Sequence, residues 1–160
     1  MSYYTSYLYE HYLYRAILDV ICFHKPQKDK NGDNYYKHPI AVAGYFFQER
    51  DIEAAIVALL HDLVEDTPVT MDFIYANYPT AIASAVDAIT RREEETYRQY
   101  IKRCIKNPLA RRVKRQDILD NLRPERMFKD APLDRYYRTL AAIRGKELEE
   151  EYGTEDEIQG

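Results

Sequence analysis

Residues 52–66, IEAAIVALLHDLVED, decide the fold class. Ile52, Ile56, Leu59, Leu60 and Leu63 recur at spacings of three and four and form one apolar stripe. Ala54, Val57 and Ala58 keep the opposite side apolar as well. A helix apolar all round lies at the centre of its domain. The pattern predicts a helix from Ile52 to Val64, ended by Thr67-Pro68, whose last part delivers His61, Asp62, Glu65 and Asp66 together. Residues four apart share a helix face, which stacks His61 over Glu65 and Asp62 over Asp66. Buried carboxylates without a positive partner are costly, so a divalent cation among them is the economical reading. Emergence of the helix end into water is the alternative.

Outward from this segment, helical periodicity recurs and strand-like alternation is rare. Helices are expected at about 6–23, 38–50, 70–78, 80–91, 96–107, 109–122 and 133–150, with breaks at Pro79, Pro108, Pro124 and Pro132. Pro39 suits a first helical turn, where its missing N–H costs nothing. Asn31-Gly32 marks a turn in the polar segment before it. The fold class is therefore all-α: one compact helical bundle over residues 1–148, followed by an acidic tail, 149–160, read as disordered.

A second carboxylate joins the first cluster. Leu109, Val113, Asp117 and Asn121 follow one another at spacing four, so Asp117 continues an inward-facing stripe. Arg111, Arg112, Lys114 and Arg115 mostly fall on other faces. A carboxylate on a buried stripe needs a partner, either a metal ion or one of the chain's arginines. His38, alone at a helix start, reads more readily as a surface or capping residue than as a ligand. Taken together, His38, His61, Asp62 and Asp117 make a nitrogen-and-oxygen ligand set for one divalent ion. That chemistry favours Mn²⁺ or Fe²⁺ over a structural zinc.

Composition narrows the partners. The net charge is −4, yet seven of the 27 acids follow Lys146, where no lysine or arginine occurs. The body before them is mildly positive, which suits a small phosphorylated substrate and is too weak for nucleic acid. No apolar run approaches the length of about 18 residues that spans a membrane. The tyrosine-rich start, including Tyr3, Tyr4, Tyr7, Tyr9, Tyr12 and Tyr14, lacks the pattern of a secretory signal and reads as packing or a self-association surface. Cys22 and Cys104 read as two buried thiols in a reducing cytoplasm. Oligomeric state is not legible.

Three blocks carry a family resemblance: HKPQKDKNGDNYYKHPIAVAGYF at 24–46, ALLHDLVEDT at 58–67 and VKRQDILDNL at 113–122. Their order and spacing resemble the H…HD…D pattern of the HD superfamily of metal-dependent phosphohydrolases. Their flanks resemble the hydrolase domain of the RelA/SpoT group and the small alarmone hydrolases. The resemblance implies metal ligation by His38, His61, Asp62 and Asp117. It implies orientation and activation of the attacking water by Glu65 and Asp66, and a ribose contact by Asn121. It further implies removal of the 3′-pyrophosphate of (p)ppGpp to leave GDP or GTP, with no synthetase domain in a chain this short.

One loop position departs from the alarmone-cleaving pattern. Asp29 stands where those members usually carry an arginine that packs over the base, and Lys28 and Lys30 on either side become the candidate substrate contacts. The resemblance thus keeps open an HD nucleotidase or phosphatase for another small phosphorylated molecule, and a non-catalytic nucleotide-binding module. The segment 90–101, TRREEETYRQYI, reads as a solvated turn and helix start rather than a pocket wall.

Overall fold

The computed structural model describes residues 3–152. The side chains of Tyr3, Tyr4 and Tyr7 and residues 153–160 of the acidic tail lie outside what is described. In chain order the helices are α1 (Tyr3–His24), α2 (Lys37–Gln48), α3 (Ile52–Leu60), α4 (Leu63–Asp66), α5 (Met71–Asn77), α6 (Thr80–Ile89), α7 (Tyr97–Cys104), α8 (Pro108–Asn121) and α9 (Leu133–Tyr152). The described residues contain no strand, and one isolated bridge pairs Lys28 with Asn34. The expected all-α architecture is the one observed.

Helix α3 sits at the centre, packed by α1, α2, α6 and α8. Every residue from Ala54 to Leu60 is buried, as the continuous apolar run requires. Full burial of a side chain such as Ile56, Leu59 or Leu60 contributes about 1.5–3 kcal/mol, so this single turn-rich segment anchors the domain. Local chemistry sets the helix starts. Asp51 caps α3 by accepting from the Ala54 N–H, Thr70 caps α5, and Thr96 with Gln99 forms a capping box on α7. Asn107 caps α8, and Pro108 opens it.

Three expectations are corrected. The helix predicted from Ile52 to Val64 is interrupted at His61-Asp62, so α3 and α4 are separate. The His61 ring takes up the Ala58 carbonyl at 2.7 Å, the acceptor that the Asp62 N–H would use in a continuous helix. The paired thiols also differ: Cys104 is buried, but Cys22 is exposed. In α8, Arg111 lies inward rather than outward, and its guanidinium clasps Glu150 of α9. Tyr9 and Tyr12 pack against the core, whereas Tyr14 is exposed.

The segment joining α6 to α7 is moulded by Arg103. Its guanidinium donates to the carbonyls of Asp87, Ala88 and Thr90 and pairs with Glu95 at 2.6 Å. The hydrogen bonds from Arg103 outweigh the opposing effect of desolvation and hold the Glu95 pKa down, to about 2. A carboxyl depressed by folding stabilises above its unfolded pKa, and that contribution is lost as pH falls through the folded value. Glu95→Gln is therefore expected to cost about 1 kcal/mol in urea unfolding at pH 7. The difference from wild type should shrink below pH ~4.5, the unfolded glutamate range, as the solution approaches pH 2; a constant difference across that range contradicts the assignment.

Candidate metal centre

Two helices and one turn bring four predicted ligands together. His38 comes from the first turn of α2, His61 and Asp62 from the α3–α4 break, and Asp117 from the inward face of α8. His38 Nε2 lies 3.0 Å from Asp117 Oδ1 and 3.7 Å from Asp62 Oδ2. His61 Nε2 lies 3.0 Å from Asp62 Oδ2 and 3.7 Å from Asp117 Oδ1. Two imidazole nitrogens and two carboxylate oxygens thus surround one point. One potential ligand atom from each of His38, His61 and Asp117 falls within a mutual 4.8 Å.

The rings are oriented from behind. His61 Nδ1 donates to the Ala58 carbonyl at 2.7 Å, and His38 Nδ1 faces Asp120 Oδ2 at 2.7 Å. With Nδ1 carrying the proton in each ring, both Nε2 lone pairs are left for the shared point. His61 Nε2 is buried and makes no well-formed hydrogen bond among the described residues. A buried nitrogen held in this way, facing two carboxylates and a second histidine, fits a divalent ion with mixed nitrogen and oxygen ligands.

The carboxylates are held with equal care. The Tyr35 hydroxyl donates to Asp62 Oδ2 at 2.7 Å. Asp117 accepts from Lys114 Nζ on Oδ2 at 2.8 Å and from Asn121 Nδ2 on Oδ1 at 2.7 Å. Burial works to raise the pKa of Asp117, but the Lys114 charge and the two facing histidines overcome it and keep the group well below the usual carboxylate range. Burial likewise opposes charge on His61 and His38, and their carboxylate neighbours raise both imidazoles instead.

Glu65 and Asp66 stand apart from this dry centre, on α4 at the solvent edge. Glu65 accepts from the Arg91 N–H. Surrounding protein and the Asp62 charge raise the pKa of both acids, against opposing hydrogen bonds. Beside Glu65 opens a cavity of about 350 Å³ lined by Val64, Glu65, Thr90, Arg91, Arg92 and Glu93. The segment 91–94 is an exposed turn leading into α7, as the sequence suggests, and its first residues line this cavity beside Glu65.

The remaining predicted contacts are placed unevenly. Asn121 reaches the centre but spends its amide on Asp117. Lys28 and Lys30 do not join the cluster: Lys28 donates to Asn34 at 2.6 Å, and Lys30 lies 3.4 Å above the Phe128 ring. Sequence reasoning missed Tyr35 and Asp120. Asp120 had a visible signal, a place three residues after Asp117 on the same helix, whereas Tyr35 reaches Asp62 across the fold and had none.

With this geometry in place, similarity to known proteins becomes specific. The chain is 33% identical over 115 residues to a probable GTP pyrophosphokinase of Mycobacterium leprae, covering 66% of this chain and 15% of that protein. It is 32% identical over 116 residues to a guanosine-3′,5′-bis(diphosphate) 3′-pyrophosphohydrolase of Aquifex aeolicus, covering 67% and 17%. A protein of the same name from Haemophilus influenzae is 36% identical over 76 residues, 47% of this chain and 11% of that one. A solved structure, described as a metazoan ortholog of SpoT that hydrolyses ppGpp, superposes with a TM-score of 0.67 at 22% identity and covers 84% of both chains. The fold is that of a SpoT-type hydrolase domain. The matched part of the chain spans only about a sixth or less of these curated relatives. No family model matches the chain.

The convergence of His38, His61, Asp62 and Asp117 gives the candidate metal centre a direct test. Titration of the metal-free protein with Mn²⁺ in a calorimeter is expected to show one tight site. His61→Ala removes the buried nitrogen without stranding Lys114, and should abolish uptake while the helical circular dichroism persists. Wild-type-like uptake by that variant would mean that the ion sits elsewhere.

Proposed function

We propose that the protein is a metal-dependent phosphohydrolase that removes the 3′-pyrophosphate of (p)ppGpp. The observation that carries this reading is the convergence of His38, His61, Asp62 and Asp117 on one point, with Glu65 and Asp66 beside it. The relatives named as ppGpp pyrophosphohydrolases support the choice of substrate. Mn²⁺ is the ion this reading prefers, and a soluble nucleotide substrate places the protein in the cytoplasm. No helix of the described residues is long and apolar enough to cross a membrane.

His38, His61, Asp62 and Asp117 would hold a divalent ion, which when bound would supply Lewis acidity and lower the pKa of nearby water. The chain's own groups account for the rest. Glu65 takes the proton from the attacking water, and Asp66 helps orient that water. The raised pKa of Glu65 suits a base, because a carboxylate nearer neutrality accepts a proton more readily. As water attacks the 3′-linked phosphorus, its bond to the ribose oxygen breaks, and that oxygen takes up the proton the water gave, which leaves GDP or GTP and free pyrophosphate as separate products. Arg91 and Arg92 line the cavity next to Glu65 and can offset charge on the phosphoryl oxygens. This reading assigns the ribose contact to Asn121, and Lys28 and Lys30 remain its candidate contacts from the 27–34 loop.

Asp29 favours a second reading, hydrolysis of another small phosphorylated molecule by the same centre. A non-catalytic nucleotide-binding module is the third.

The deciding assay follows phosphate and pyrophosphate release from ppGpp and a panel of ordinary nucleotides, with Mn²⁺ and after chelation. Metal-dependent pyrophosphate release from ppGpp is expected. Activity confined to another nucleotide retires the alarmone, and silence across the panel favours the binding module. Glu65→Gln should lose about 10²–10⁴-fold in kcat with its metal retained. The working form of Glu65 is deprotonated, so wild-type kcat should rise with pH through a pKa above the ordinary glutamate value. That acidic limb should vanish in the variant, and its survival would assign the base to another group.

A further inference from the structure

The 27–34 loop and the loop after α8 meet beside the histidine cluster. Asn31 Nδ2 donates to the Glu125 carbonyl at 3.0 Å, Lys30 covers the Phe128 ring, and Arg126 pairs with Asp29 at 3.8 Å. The third contact reaches further inward. Arg126 Nε lies 3.1 Å from Asp120 Oδ2, the same oxygen that faces His38 Nδ1 at 2.7 Å. Another guanidinium nitrogen of Arg126 donates to Asn121 Oδ1 at 3.4 Å. One planar group therefore touches the loop acid, the acid behind His38 and the amide that holds Asp117.

We propose that Arg126 is a positioning residue for the metal centre: it fixes Asp120, and through it His38, while Asp29 ties the 27–34 loop to the same guanidinium. The proposal rests on the metal-centre reading above. Asp120 is almost fully buried, with its side chain 4% exposed, and an anion at that depth needs a cation close by. Arg123 also reaches Asp120, at 3.3 Å on Oδ1, but its side chain is 56% exposed and contributes the weaker hold. Arg126 is 19% exposed and sets its guanidinium as an ion-pair partner against both Asp120 and Asp29, with its one hydrogen bond among the described residues going to Asn121.

Asp29 takes on a defined role in this arrangement. Its Oδ1 accepts from the Asn31 and Asp33 N–H groups at 2.9 Å each, closing the turn that Gly32 completes at φ +85°. Its Oδ2 faces Arg126. The acid thus spends its charge inside the protein, on its own loop and on Arg126, instead of presenting it to an anionic substrate. Orientation of the 27–34 loop and orientation of His38 become one coupled property.

The test uses the full chain and Mn²⁺ alone as the probe. Outer partners of ligating histidines typically govern metal affinity by about 10–100-fold. Arg126→Gln should weaken Mn²⁺ binding on that scale, Arg126→Lys should recover part of it, and Asp29→Asn should show a smaller loss. Arg138→Gln, on the exposed face of α9, serves as the control and should bind as wild type. Nitrogen NMR of the metal-free proteins supplies an independent readout: the protonated Nδ1 signal of His38 should shift in Arg126→Gln and in Asp29→Asn. If Arg126→Gln fails to fold, Arg126→Lys and Asp29→Asn carry the same comparison. Wild-type Mn²⁺ affinity and an unchanged His38 signal in the folded variants overturn the proposal. If wild type itself takes up no Mn²⁺, the metal-centre reading fails, and the His38 signals alone then decide the role of Arg126.

Discussion

The Asp117 carboxylate lies between α8 and the two elements that bear the histidines, and four side chains converge on its two oxygens. Lys114 and Asn121 reach it from its own helix, His38 reaches it from α2, and His61 stands across from it at the end of α3. Each of these groups is expensive to bury by itself. Losing one member of a buried ionic cluster typically costs about 3–5 kcal/mol, because the charge left behind has no water to turn to. The mutual dependence locks α8 against the central helix at the place where catalysis is proposed. Apolar packing of α3 brings the elements close, and the charges fix how they face one another.

The centre also separates holding from working. His38, His61 and Asp117 are buried and pinned from behind by Asp120, the Ala58 carbonyl, Lys114 and Asn121. Glu65 and Asp66 stand at the solvent edge, where a substrate and a water molecule can reach them. Rigid, dehydrated ligands keep a metal geometry constant, and an accessible carboxylate can exchange protons. Arg103 contributes at a distance, because the loop whose backbone meets Glu65 takes its shape from the carbonyls that this arginine gathers.

Most of this was legible in the chain because the strongest signals were local. The all-round apolar character of 52–60 announces a central helix, and proline and capping residues mark the helix starts within a residue or two. The spacing-four row through Val113, Asp117 and Asn121 correctly turned Asp117 inward. What escaped was non-local or depended on side-chain competition. The break at His61 arises from a ring nitrogen taking a backbone acceptor, which periodicity cannot register. Arg111 looked like a surface residue until its partner appeared 39 positions later. Lys28 and Lys30 drew attention through their charge, but Asn34 of the same loop engages the first and Phe128 of a neighbouring loop the second. Arg126 sits in a segment with no periodicity at all.

The interruption between α3 and α4 has a consequence for how such a chain tolerates change in length. Each residue added to a helix turns everything beyond it by about 100° and advances it by about 1.5 Å. Only two residues, Leu63 and Val64, separate Asp62 from Glu65, and Leu63 is buried beneath them. An insertion or deletion in that interval would swing Glu65 away from the cavity and expel Leu63 from the core in the same stroke. The interval from His61 to Asp66 therefore acts as a fixed ruler between the dry end of the site and the wet one.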